Sequence, residues 1–181
     1  HIAAGAGHDI TYVESELYGA VDALGRERFD LVYTGVGALG WLPDVKQWAK
    51  VVAALLRPGG RLYIREGHPM LWTLDETRDD ELLVAGYAYF ETAEPMEFFS
   101  EETYTDGDEK VGSPQTREWN HGLGEIVQAV IEAGLAVTRV AEHQFCEWLA
   151  LPWMVERDGR YYLPDHPERL PLMYTLEACK A

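Results

Sequence analysis

The chain has 181 residues, of which 47% are hydrophobic, so a single domain with a buried core is expected. Fifteen Lys and Arg against 31 Asp and Glu give a formal net charge of −16. Such a surface repels phosphate backbones and anionic lipid heads, which argues against nucleic acid and membrane partners. No apolar run is long enough to cross a bilayer. The two cysteines, Cys146 and Cys179, lack metal-ligand spacing, so a reducing cytoplasm is the expected compartment.

The first part of the chain alternates between strand and helix patterns. Residues 29–33 are almost entirely apolar, as in a strand covered on both faces. Asp44 is positioned to cap a helix whose apolar residues recur at helical spacing. The predicted elements are the end of a helix at 1–8, strands at 10–13, 29–33 and 61–65, a helical turn at 20–24, a glycine-rich loop at 34–40, and a helix from Asp44 to a stop at 57–60. This order predicts a parallel sheet with helical crossovers.

The second part of the chain predicts two insertions around the remaining sheet elements. Residues 70–118 are acidic and aromatic and are too long for a plain loop, so they predict a β-rich lid. Within them, Asp106-Gly107 is typical of a hairpin turn. The other predicted elements are an amphipathic helix at 122–133 with an apolar face that includes Ile131, a strand at 135–143, a second insertion at 145–171 and a final strand at 172–179.

Two motifs resemble one protein family. The run FDLVY occupies residues 29–33, and LLRPGG at 55–60 leads into the next predicted strand. Together, and at this spacing, they resemble the middle of class I S-adenosylmethionine-dependent methyltransferases, where they mark the fourth and fifth strands. Residues 118–126 also resemble an uncharacterised bacterial branch of that family. The resemblance implies a Rossmann-like α/β sheet of parallel strands with an antiparallel last strand, within a single domain over 1–181.

The resemblance also implies that part of the family's fold lies upstream of His1. The family's first two strands, its glycine-rich loop and the acidic residue that ends its second strand would all precede this chain. We therefore expect an N-terminally incomplete domain and a longer biological protein. The predicted strand at 10–13 would correspond to the family's third strand and would have no neighbour here.

Candidate cofactor-binding residues follow the predicted strands, since ligands of open α/β sheets bind beyond the carboxyl ends of strands. By resemblance, Glu16 and Leu17 meet the adenine of S-adenosylmethionine. Also by resemblance, the loop after residue 33 lines the methionine end of the cofactor, through Thr34, Gly35, Val36 and Gly37. Two plainer interpretations stay open: a solvated acidic loop at Glu16, and a tight strand-to-helix turn at 34–37.

Two histidines are candidates for proton transfer. His68 follows the strand at 61–65 and would act as a general base facing the acceptor, although a lone His before Pro is often only a turn residue. His121 would face the cleft under the lid, and its neighbour Asn120 would cap the following helix. Many methyl transfers need only alignment of donor and acceptor, so neither base is required. The histidines show no metal-ligand spacing, and no metal is expected.

The predicted function is methyl transfer from S-adenosylmethionine to a small-molecule acceptor. A non-catalytic relative, acting as a partner subunit or ligand sensor, is the alternative from another class. A nicotinamide-dependent dehydrogenase is a weaker alternative, because the antiparallel last strand and LLRPGG argue against it. The sequence does not identify the acceptor or the oligomeric state.

Overall fold

The computed structural model describes residues 5–100 and 112–181. The longest described stretch without α-helix or β-strand follows Gly67 and precedes Met96. The α-helices are α1 Ala20–Leu24, α2 Val45–Leu55 and α3 Leu123–Glu132. The strands are β1 Phe29–Thr34, β2 Leu56–Gly67, β3 Met96–Phe99, β4 Gln115–Glu118, β5 Leu135–His143, β6 Phe145–Cys146, β7 Val155–Arg157, β8 Arg160–Tyr162 and β9 Met173–Lys180.

The central sheet has four strands in the order β1-β2-β9-β5. β1 and β2 are parallel, with Val32 opposite Leu62, and α2 connects them. β9 runs antiparallel to both of its neighbours, with Leu176 opposite Ile64 of β2 and Val140 of β5. The predicted parallel pair and antiparallel last strand are therefore confirmed.

Helices α2 and α3 pack against each other and against one face of this sheet. Asp44 caps α2 as predicted, because its Oδ1 accepts a hydrogen bond from the backbone N–H of Gln47 at 2.8 Å. The main core joins the apolar faces of both helices to the sheet, through Trp48, Val52, Ile126, Val130, Leu62, Ile64 and Leu176. Helix α2 ends at Leu55, the first residue of the LLRPGG motif, and β2 begins at the next residue. The strand therefore begins at Leu56, five residues earlier than predicted.

Three local predictions are wrong. Residues 10–13 form no strand, and Ile10, Tyr12 and Val13 are exposed. Among residues 5–100 and 112–181, no strand pairs with the outer edge of β1, so an extended segment there finds no partner for its backbone groups. Ile131 is half exposed rather than part of the buried face of α3. Most of the described chain between β2 and β4 is irregular rather than β-rich. The predicted hairpin turn at 106–107 lies outside the described residues.

A second, smaller core lies beside the carboxyl end of β2. It unites the chain just after β2 with the second predicted insertion, through Leu71, Leu74, Cys146, Leu151, Leu163 and Leu172. Strands β6, β8 and β7 form a three-stranded antiparallel sheet here, while β3 and β4 pair separately as an antiparallel ribbon. In the described part of the chain, no helix has the length and apolar character that crossing a membrane requires.

Candidate functional site

A cavity of about 300 Å³ lies where β1 and β2 end, between the main core and the second core. Its lining includes Gly37, Leu39 and Gly40 after β1, and Glu66 and Gly67 at the end of β2. Ligands of open α/β sheets bind at this edge, and about 300 Å³ is the lower end of the range for small-molecule sites. The cavity is therefore the candidate site.

A buried carboxylate fixes the loop after β1. Glu66 is 4% exposed, and its two oxygens accept hydrogen bonds from the backbone N–H groups of Gly37, Ala38, Leu39 and Gly67, at 2.5 to 3.4 Å. Burial raises the pKa of Glu66, and these four donors oppose that rise. Both oxygens act only as acceptors, as an ionised carboxylate does. The end of β2 thus holds the loop after β1 in place at the wall of the cavity.

Of the four predicted loop residues, Gly37 lines the cavity. Its φ of +80° favours glycine, and no atom lies within 4 Å of where a Cβ would stand. Thr34 is buried at the end of β1, Gly35 lies beside the Tyr33 ring, and Val36 is 44% exposed. Among residues 34–37, the loop therefore presents bare backbone to the cavity at Gly37.

The predicted adenine residues lie apart from the cavity lining. The carboxylate of Glu16 accepts from the backbone N–H groups of Tyr18 and Gly19, each at 3.0 Å, and so caps a 3₁₀ turn over Leu17–Gly19. Leu17 packs against the main core. The Tyr18 hydroxyl ties this turn to the start of α2 through the backbone of Asp44. Adenine binding by Glu16 and Leu17 stays a prediction.

His68 is buried and is not part of the cavity lining. Its Nδ1 accepts the backbone N–H of Met70 at 3.0 Å, and its Nε2 lies 3.0 Å from Oε1 of Glu142 on β5, although the latter contact lacks good hydrogen-bond direction. Burial lowers the pKa of His68, while the Glu142 carboxylate acts in the opposite direction. The ring is thus oriented towards β5, by partners that sequence patterns did not reveal.

His121 does line the cavity, but both of its ring nitrogens are already close to oxygens. Nε2 lies 2.8 Å from the carbonyl oxygen of Leu42, and Nδ1 lies 2.8 Å from Oε2 of Glu91, although the latter contact lacks good hydrogen-bond direction. Glu91 also accepts the backbone N–H of Val45 at the start of α2. The ring therefore helps to hold the chain around residue 91 onto the main core.

Asn120 has a different role from the predicted helix cap. Its Nδ2 donates to the carbonyl oxygens of Pro69 at 3.0 Å and Ala88 at 2.9 Å. Helix α3 is instead preceded by Gly122, whose N–H donates to the carboxylate of Glu125. Asn120 thus links two parts of the segment between β2 and β4.

Aromatic side chains make up much of the remaining lining. The lining aromatics are Trp41, Trp72, Tyr87, Phe98, Trp119 and Tyr174, of which Trp72, Tyr87 and Phe98 belong to the predicted lid at 70–118. The Tyr174 hydroxyl and the Trp119 Nε1 are buried without a hydrogen-bond partner in the described structure. Burial, reinforced by Glu66, raises the pKa of Tyr174 well above its usual value. Glu66, Trp119 and Tyr174 had no predicted role.

Metal binding has no visible basis in the described residues, where no group of three His, Cys, Asp or Glu is placed to hold an ion. The cysteines Cys146 and Cys179 are free thiols, and burial raises the pKa of Cys146.

No protein-family model and no curated protein matches the chain. Solved structures do. An S-adenosylmethionine-dependent methyltransferase from Clostridium acetobutylicum superposes with a TM-score of 0.58 at 12% identity, over 99% of this chain and 68% of that one. A methyltransferase of the same kind from Mesorhizobium loti superposes with a TM-score of 0.53 at 20% identity, over 98% of this chain and 74% of that one. A proposed methyltransferase of the same kind from Listeria monocytogenes gives 0.54 at 18% identity, over 88% of this chain.

These likenesses establish the fold. The chain has the α/β fold of class I S-adenosylmethionine-dependent methyltransferases, with a mixed sheet of parallel and antiparallel strands. It spans 64% of the length of the Listeria monocytogenes protein. Because one fold hosts many functions, activity has to be argued from the site.

Proposed function

We propose that this protein transfers a methyl group from S-adenosylmethionine to a small-molecule acceptor. The observation that carries the proposal is the position of the cavity. In a sheet with the methyltransferase fold, it opens where the parallel strands β1 and β2 end, and the loop after β1 forms part of its wall. The sheet edge where it lies is the one where this class of fold binds its ligands.

The residues around the cavity fit the cofactor's charge and shape. S-adenosylmethionine supplies a methyl group bonded to a positively charged sulfur. An acceptor with a lone pair bonds to the methyl carbon and displaces the sulfur. The buried carboxylate of Glu66 favours positive charge nearby, and Gly37 leaves backbone open to close approach. In this proposal the loop at 34–37 borders the methionine end, and Glu16 and Leu17 hold the adenine.

The protein's own contribution is orientation and exclusion of water. Trp72, Tyr87 and Phe98 come from the segment 70–118 and close one side of the cavity, which supports a lid role for that segment. Holding two reactants in line can lower a barrier by about 7–11 kcal/mol, so His68 is not needed as a general base. The orientation of His68 towards Glu142, away from the lining, agrees with alignment as the main effect.

A small-molecule acceptor and a cytoplasmic location are parts of the same proposal. The net charge of −16 disfavours nucleic acid and anionic membrane surfaces as partners. Two free thiols are compatible with a reducing compartment.

A matched pair of glycine variants tests the proposal. Gly37 and Gly159 both have positive φ, +80° and +73°, and both have open space where a Cβ would stand, but only Gly37 lines the cavity. Alanine at either position strains the backbone by about 1–2 kcal/mol, so both variants should lose similar stability. Gly37→Ala should also weaken binding of S-adenosylhomocysteine by about tenfold or more in calorimetry, because the new methyl projects into the site.

The outcomes of this experiment separate the candidate functions. Equal affinities for Gly37→Ala and Gly159→Ala would place the cofactor elsewhere. Failure of the unaltered full-length protein to bind S-adenosylhomocysteine would refute the proposal. Cofactor binding without methyl transfer to any member of a broad acceptor panel would favour the non-catalytic alternative, a partner subunit or ligand sensor.

A further inference from the structure

The charged groups of the cavity lining are all of one sign. Three carboxylates, those of Glu66, Glu76 and Glu118, line the cavity, and no Lys or Arg is among the described lining residues. From this and the aromatic walls we infer that the acceptor is an organic cation, a protonated amine with an apolar or aromatic body. The inference rests on the proposed function: the loop at 34–37 borders the cofactor, and the part of the cavity lined by Trp72, Phe98 and Glu118 receives the acceptor.

The aromatic walls are suited to a cation. Trp41 is 51% exposed and Trp72 is 40% exposed, although both line the cavity, so part of each indole is free. Tyr87 and Phe98 meet edge to face with ring centroids 5.5 Å apart. A cation above an aromatic face gains about 0.5–2 kcal/mol, and Trp gives the strongest interaction.

Trp72 is held in place rather than loosely attached. Its ring stacks on Trp148 with centroids 5.8 Å apart and an interplanar angle of 16°. It also lies directly over the backbone of Gly67, where a Cβ would come within 2.5 Å of the indole. The absence of a side chain at Gly67 therefore allows an indole to cover the end of β2 at the cavity. A fixed ring can bind a cation with little loss of side-chain entropy.

Among the three carboxylates, Glu118 is the one best placed to pair with an ammonium group. Glu66 already accepts four backbone N–H groups, and Glu76 is exposed. Glu118 is half-buried at the end of β4, and its Oε1 accepts the Thr116 hydroxyl at 3.0 Å. No Lys or Arg of the described residues forms an ion pair with it. A desolvated ammonium needs such a partner, whereas an anionic acceptor would meet three like charges.

Methyl transfer to nitrogen also releases a proton, and the same carboxylate can take it up. The acceptor amine gives up one proton, its nitrogen forms a bond to the methyl carbon, and the bond between that carbon and sulfur breaks as sulfur becomes neutral. The Glu118 carboxylate, which lines the cavity, can accept that proton and pass it to solvent.

Three probes that share a phenyl ring but differ in charge test the inference. We would titrate the full-length protein with 2-phenylethylamine, 2-phenylethanol and 3-phenylpropionate, without cofactor, and follow tryptophan fluorescence and calorimetry. The amine should bind about tenfold or more tighter than the alcohol, and the carboxylate should bind weakest. Glu118→Gln should lower the amine's preference by about fivefold or more. Glu156→Gln changes net charge equally on exposed β7, outside the lining, and should leave the preference unchanged.

Each other result has a definite meaning. Equal binding of amine and alcohol, tighter binding of the carboxylate, or no binding by any probe would overturn the inference. So would equal effects of Glu118→Gln and Glu156→Gln, since the preference would then come from the overall charge. The probes are measured without cofactor, so the two proposals can fail separately. Failure to bind S-adenosylhomocysteine would refute methyl transfer, while the preference for a cation could still be measured.

Discussion

Removal of the Glu66 carboxylate should destabilise the protein more than removal of any exposed carboxylate. In Glu66→Ala, the backbone N–H groups of Gly37, Ala38, Leu39 and Gly67 lose their acceptor. Hydrogen bonds to charged groups contribute about 1.5–3 kcal/mol each. The full sum is not expected, because the loop borders a cavity that water can enter and because removing a buried charge recovers its desolvation cost. A net loss of about 2–4 kcal/mol in the free energy of unfolding follows.

Denaturant-induced unfolding of three variants measures this effect. Glu66→Gln keeps one carbonyl oxygen as acceptor but brings an NH₂ group towards the backbone donors, so its loss should lie between wild type and Glu66→Ala. Glu156→Ala, on the exposed strand β7, should change the free energy of unfolding by less than about 0.5 kcal/mol. If Glu66→Ala also falls within about 0.5 kcal/mol of wild type, the carboxylate does not hold the loop and the reasoning fails.

Two further predictions concern histidine and adenine. Because burial lowers the pKa of His68, the unfolded chain binds its proton more readily, so unfolding free energy should fall as pH drops below about 6.5. His68→Gln should flatten that slope and change turnover by less than about threefold; a loss of about a hundredfold would instead support a general base. Glu16→Ala should weaken cofactor binding by about 1–3 kcal/mol in calorimetry, and unchanged affinity would remove Glu16 from the site.

Local sequence patterns predicted the helices and strands whose buried side chains recur at a regular spacing. The apolar run at 29–33, the stripe of α2 and its Asp44 cap, and the strand from Leu135 to His143 all appear in the structure near their predicted positions. Each is defined by side chains that are neighbours in sequence, so spacing alone carries the information. The strand expected at 10–13 failed because a strand also needs a partner, and β1 has none on that side in the described residues.

The site was less predictable because its contacts join distant parts of the chain. Glu66 stands at the end of a predicted strand, which was a usable signal, but the loop that it holds lies 27 to 29 residues away. His68 is oriented by Glu142, and His121 lies against Glu91, across comparable or longer separations. The sequence marks 70–118 as rich in aromatics, and only the folded arrangement shows that Trp72, Tyr87 and Phe98 reach the cavity.

Calorimetric titration of the full-length protein with S-adenosylhomocysteine tests the central claim most directly, with NADH as a matched nucleotide control. A cofactor site at the ends of β1 and β2 predicts one binding event per chain with a dissociation constant of about micromolar order, weakened in Gly37→Ala but not in Gly159→Ala. Binding of NADH in preference to S-adenosylhomocysteine, or no binding of either at about millimolar concentration, would contradict the account.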